Sequence, residues 1–279
     1  MESSESERIN IKELILEQPK KEAELPFDPE KEITEADWHS MKKLLEEYRE
    51  KQDWSNFAMH AMDMKIIFPK KSSELGLDEK SWLEMIRDLE EFRSSYIVVS
   101  FADLATQMKT LFPEKAADLG LDWKSWQKMK KEFDNLRDAK PNVWNSISLA
   151  MDMKILFPEK VGELGLDEKS WKGMKQQMER YRSEPGSFNF IAWATDMKIL
   201  FPEKVKELNL NEKSWEGMEK SLGDCRSKSE WWGFAWQAAR MKILVAEEVK
   251  VTDKGLEINM RKKKFEKEEV PPMPEKRKY

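Results

Sequence analysis

The chain is poor in the residues from which most reactive sites are built. It has one cysteine and two histidines in 279 residues. A lone thiol, Cys225, excludes an intrachain disulfide and suits a reducing compartment. His39 and His60 fall on different helical segments with no Cys/His spacing around them. Neither therefore points to a metal site, and both read as surface or rim residues. There is no Gly-rich phosphate loop, nucleophile elbow or His-Glu-x-x-His pair. No apolar run approaches the roughly 20 residues of a membrane span, and the first residues, Met-Glu-Ser-Ser-Glu-Ser-Glu, lack a basic then apolar leader. An excess of positive charge is missing as well: the net charge is −5, which weighs against an overall polyanion-binding surface. These absences leave the expectation of a soluble, cytoplasmic, non-enzymatic protein with no metal, no cofactor, no membrane contact and no implied small-molecule ligand.

What the chain has in abundance is repetition. Met-Lys-Ile-Leu-Phe-Pro-Glu-Lys or a close variant starts at Met64, Met108, Met153 and Met197, with a degraded fifth copy at Met241, at steps of 44 or 45 residues. Lys-Ser-Trp-x-x-Met keeps the same step through Trp82, Trp126, Trp171 and Trp215, and Trp38 heads a looser first copy. Self-similarity at such a period is the mark of a stacked helical-repeat protein. About ten apolar columns per unit contribute roughly 1.5–3 kcal/mol each. Ordering the backbone costs about 1–2 kcal/mol per residue over 44 residues. One unit cannot fold alone, so neighbours must complete its core.

Two long helical patterns appear in each unit. One carries Phe57, Ala61, Met64 and Phe68; its alanine column (Ala61, Ala105, Ala150, Ala194, Ala238) predicts a close helix–helix approach. The other carries Trp82, Met85, Leu89 and Phe92. Both read as one-face amphipathic helices. Thr34, Asp78, Asp122, Asp167 and Asn211 stand where the second helix needs an N-cap. Pro69, Pro113, Pro158 and Pro202 open a short helical turn between the two, and Gly76, Gly120, Gly165 and Asn209 supply its left-handed close. The methionine columns read as packing. After the fifth copy, Val249-Lys250-Val251 and Leu256-Glu257-Ile258 alternate around Thr252-Asp253-Lys254-Gly255, predicting a small β-hairpin that caps the array.

The expected architecture is an all-α solenoid of about five units (long helix, short helix, long helix) over residues 31–260. An acidic, partly disordered segment (1–30) precedes it and a charged, proline-containing disordered tail (261–279) follows. Two basic columns never vary: Lys65, Lys109, Lys154, Lys198 and Lys242, and Arg49, Arg93, Arg137, Arg182 and Arg226. Cations at helix ends complement the helix dipole, and a ladder of them offers RNA a second use. Invariant columns speak of architecture, so particular function is sought in the misfits. Trp123 replaces Glu79, Glu168 and Glu212; Trp236 shares a column with Met59, Asp103, Ser148 and Ala192; Trp193 shares one with His60, Leu104, Leu149 and Gln237. These three tryptophans are the candidate protein-binding residues, as exposed aromatic anchors. The expected role is a protein–protein interaction scaffold with an unidentified protein partner; the alternative is an RNA-associated protein using the Lys/Arg columns and the basic tail.

Overall fold

The computed structural model describes residues 27–260 except Tyr96, residues 139–142 and Pro185. The acidic segment before residue 27 and the charged tail after residue 260 lie outside the described residues. A first turn, α1 (Pro29–Glu32), precedes five helical hairpins. Their first helices are α2 (Glu35–Glu50), α4 (Glu79–Ser94), α6 (Trp123–Asp138), α8 (Glu168–Arg180) and α10 (Glu212–Ser227). Their second helices are α3 (Trp54–Ile67), α5 (Val98–Leu111), α7 (Val143–Leu156), α9 (Phe188–Leu200) and α11 (Trp231–Val245).

The expected punctuation is found in place. Asp78, Asp122, Asp167 and Asn211 each accept a bond from the backbone N–H three residues on, at 2.8–3.0 Å, and Thr34 closes a reciprocal capping box with Asp37. Each of the four prolines opens a 3-10 turn that ends on a residue with φ of 50° to 68°. At Gly76 a second constraint is added: a Cβ there would stand 2.2 Å from the Arg49 guanidinium, which bonds the Leu75 and Gly76 carbonyls.

The repeats stack as expected, but the array has no ends. Helices α3, α5, α7, α9 and α11 form an inner layer in which each packs on the next, and α11 returns to pack on α3 and α2. The solenoid closes into a ring with the other long helices outside it; α2, α4 and α6 each sit over the groove between two inner helices. The alanine column lies at the inner contacts, 0% exposed throughout. Trp38, Trp82, Trp126 and Trp171 meet Phe68, Phe112, Phe157 and Phe201 edge to face at 5.1–5.4 Å, tying outer to inner layer four times.

Closure corrects the reading of the first helical pattern. The inner helices are not one-face amphipaths: every residue from Phe190 to Leu200 is buried, including Asp196 and Lys198. Outer helices cover one side, inner neighbours cover both flanks, and the fourth side faces the ring's axis. His60 is corrected for the same reason. It is 0% exposed, and its Nε2 donates to the Met41 carbonyl at 3.0 Å. Burial holds its pKa down to about 4, so it stays neutral. His39 is exposed, as expected.

The invariant lysines serve helix ends, but those of the neighbour. Lys65 donates to the Thr110 and Leu111 carbonyls, Lys109 to Ile155 and Leu156, Lys154 to Ile199 and Leu200, and Lys198 to Leu244 and Ala246. Lys242 completes the circle on Ile67 at 2.9 Å. Each lysine thus satisfies carbonyls that a helix end leaves without partners, and burial lowers the pKa of Lys65, Lys109 and Lys154, and that of Lys198 to about 8. Arg49, Arg93 and Arg182 reach forward in the same way, to the carbonyls closing the next 3-10 turn. Arg226 does so across the seam, donating to the Glu32 carbonyl at the end of α1, and it also bonds Asp37 at 2.9 Å.

The hairpin forms, β1 (Glu248–Thr252) antiparallel to β2 (Gly255–Asn259), with Thr252 opposite Gly255. It caps the axis of the ring: its strands lie against α5, α7 and α9 at the C-terminal ends of the inner helices, and a Cβ on Gly255 would stand 3.1 Å from the Thr110 Cα.

Candidate functional site

Closing the ring creates a lumen walled by the inward columns of five parallel helices. From the hairpin upward, Ile66, Thr110, Ile155, Ile199 and Ile243 make an apolar floor with Leu256 of β2. Just above them lies a void of about 30 Å³, enough for a water molecule, bordered also by Asp196 and Arg240. One register position supplies Asp63, Gln107, Asp152, Asp196 and Arg240; the position a turn nearer the helix N-termini supplies Met59, Asp103, Ser148, Ala192 and Trp236. Phe188 and Trp232, each 39% exposed, stand in the first turns of α9 and α11 with rings stacked at 5.7 Å.

Charge in this lumen is unbalanced. The Arg240 guanidinium donates to Asp63 Oδ1 at 3.0 Å and lies 4.1 Å from the centre of the Trp236 ring. It faces four carboxylates, on α3, α5, α7 and α9. Burial pushes Asp63 up to about 6, against the pull of Arg240, and Asp196 to about 7. Asp103 is also raised by burial, although its side chain reaches solvent within the lumen. Asp152 is raised well above the ordinary range, by burial first and then by the charge of Asp103. Ser148 donates to Asp196 at 3.4 Å. Asp63 Oδ2 and Asp152 Oδ1 have no hydrogen-bond partner among the described residues, on side chains 1% and 2% exposed.

These raised values set the sign of a pH dependence. Folded Asp196 binds its proton more tightly than the unfolded residue, so its contribution favours the fold at low pH and is lost as pH rises from about 4 to about 7. Neutral His60 opposes this below pH about 6.5, so wild-type stability alone does not isolate it. The difference between Asp196→Asn and wild type does. It should shift in favour of the variant by roughly 2–3 kcal/mol between about pH 5 and pH 8. Urea unfolding at the two pH values measures it; a pH-independent difference refutes the raised value.

The three sequence-selected tryptophans do not converge. Trp193 is 3% exposed, inside the core. Trp236 is 9% exposed and belongs to the lumen wall. Trp123 is 53% exposed on the outer surface, with Lys160 over its ring at 4.4 Å. In other units the lysine equivalent to Lys160 pairs with a carboxylate (Lys71 with Glu35, Lys115 with Glu79, Lys204 with Glu168), so Trp123 replaces an ion pair by a cation–π contact. The residues missed were the lumen aspartates and Arg240. Their signal was an Arg in a column otherwise Asp or Gln, a column that carries no repeat motif of its own.

A cleft of about 770 Å³ lies between the last 3-10 turn and β1. Lys198 and Lys250 on its wall are engaged with the Leu244 and Ala246 carbonyls and with Glu248. Two buried carboxylate oxygens without a partner among the described residues, Asp63 Oδ2 and Asp152 Oδ1, lie instead in the lumen. Among the described residues, no three His, Cys, Asp or Glu side chains are grouped to hold a metal ion, and no helix is long and apolar enough to cross a membrane. No protein-family model, curated protein or solved structure matches the chain.

Proposed function

We propose that the ring is a binding protein that holds a small polar molecule in its lumen. The observation that carries this is the pair of buried carboxylate oxygens without partners, Asp63 Oδ2 and Asp152 Oδ1. A buried polar group left unpaired costs about 1–3 kcal/mol, more when charged. An apolar lumen would stabilise the ring better, so the carboxylates are kept for something other than the fold. Closure also supports the reading. The concave face that an open solenoid would offer to a protein is here the wall of a closed channel, and the inner lysines are all engaged with carbonyls. No catalytic role is proposed, and the single cysteine keeps the cytoplasm as the expected compartment.

The test is Asp152→Asn. The variant should be about 1–3 kcal/mol more stable than wild type in urea unfolding. It should also lose a small molecule that native mass spectrometry finds co-purifying with the wild-type ring. A destabilised variant would mean that the carboxylate serves the fold, and would sink the proposal. A second reading, the interaction scaffold, now rests on the outer surface, where Trp123 and Leu83 are 53% and 58% exposed. A protein partner lost on Leu83→Glu and retained when the lumen is filled would favour it.

A further inference from the structure

We propose that the lumen selects a protonated primary amine carrying an apolar or aromatic portion. This rests on the lumen being the binding site, and it names the chemistry recognised there. The argument begins with charge. Four carboxylates face one guanidinium, and that guanidinium is bonded to Asp63 and covers Trp236. Asp103, Asp152 and Asp196 therefore lack a cation of their own among the described residues, and Asp152, beside the Thr106 hydroxyl, keeps an Oδ1 without a hydrogen-bond partner among them. A primary ammonium brings three N–H donors and a positive charge together. A carboxylate or phosphate would meet repulsion from three sides. A neutral alcohol would supply donors and leave the charge unbalanced. A bare metal ion does not fit, since no three of these groups converge as ligands.

The entrance supplies the second half. Phe188 and Trp232 stack at an interplanar angle of 16°, and Trp236 lies 4.6 Å from Phe188 on the way to the aspartates. Ring faces at this position accept an apolar group and attract a passing cation. The amine end then reaches the carboxylates about one and two helical turns deeper, while the apolar end stays among the rings. Asp196, whose proton is held up to about pH 7 by burial, must give it up to pair with an ammonium. Amine affinity should therefore rise with pH through about 7.

The experiment is calorimetric titration of the full chain with three molecules of one shape: phenethylamine, 2-phenylethanol and phenylacetate. The amine should bind at least about tenfold more tightly than the other two. That preference should vanish in the Asp152→Asn, Asp196→Asn double variant, and binding should be lost in Ser148→Trp, which fills the lumen. Met59→Trp replaces Ser148→Trp if circular dichroism shows the latter unfolded. Equal or tighter binding of the alcohol or acid, abolished by the filling variant, overturns the amine assignment and leaves the lumen as a site. Amine binding indifferent to the filling variant places it elsewhere and overturns the proposal. So does the absence of saturable binding by all three.

Discussion

Replacing Arg240 by leucine should destabilise the ring by about 3–5 kcal/mol, the usual loss when one partner of a buried ion pair is removed. Arg240 joins the fifth unit to the first, its side chain 17% exposed against 1% for Asp63. Without it Asp63 loses the only hydrogen bond described for its carboxylate, and all four lumen carboxylates lose the cation that lowers them. The carboxyls can respond by holding their protons, which limits the loss at low pH. Their folded pKa values rise further above the unfolded ones, so the deficit should be smallest near pH 4 and grow through neutrality. Urea unfolding at about pH 5 and pH 8 reads both features. A loss under about 1 kcal/mol at both would show that the ring does not depend on this pair.

Trp171→Ala should cost a similar 3–5 kcal/mol. Trp171 is 1% exposed, meets Phe201 at 5.3 Å and donates through Nε1 to Glu207 at 3.0 Å. Its loss opens a cavity between the outer and inner layers of the fourth hairpin and leaves Phe201 without its ring partner. Trp123→Ala provides the control: an exposed indole under Lys160 should cost less than about 1 kcal/mol. Equal shifts in the unfolding midpoint of the two variants would contradict the burial assigned to each.

The units were legible in the sequence because each of their boundaries has its own local cause. An Asp, Thr or Asn side chain stops the orphan N–H groups of an outer helix, a proline starts the 3-10 turn, and Gly or Asn closes it with positive φ. None of these depends on the rest of the molecule, and all stand where they were expected. Closure is different. It depends on the small rotation between neighbouring units, set by how Ala61 and its counterparts seat against the next helix, and no single residue encodes it. Two first-and-last complements did record it: Arg226 opposite Asp37, where the other units have serine, and Arg240 opposite Asp63. Lys242 is a third trace, since a fifth lysine has no carbonyls to reach in an open array. With closure unread, the column of Asp103 and Trp236 looked like surface, and the lumen could not be named.

The circle of lysines changes how the protein should come apart. In a linear stack the outermost units are held on one side only and melt first. Here each unit, the first and fifth included, has a neighbour on both sides, and the bonds that make this so join residues 175 to 194 positions apart. Closing so long a loop is entropically costly and slow, and it brings no reward until both ends meet. The last step of folding and the first step of unfolding are therefore the same event, the making or breaking of one seam. Once that seam opens, the carboxylates of the lumen are released to water together.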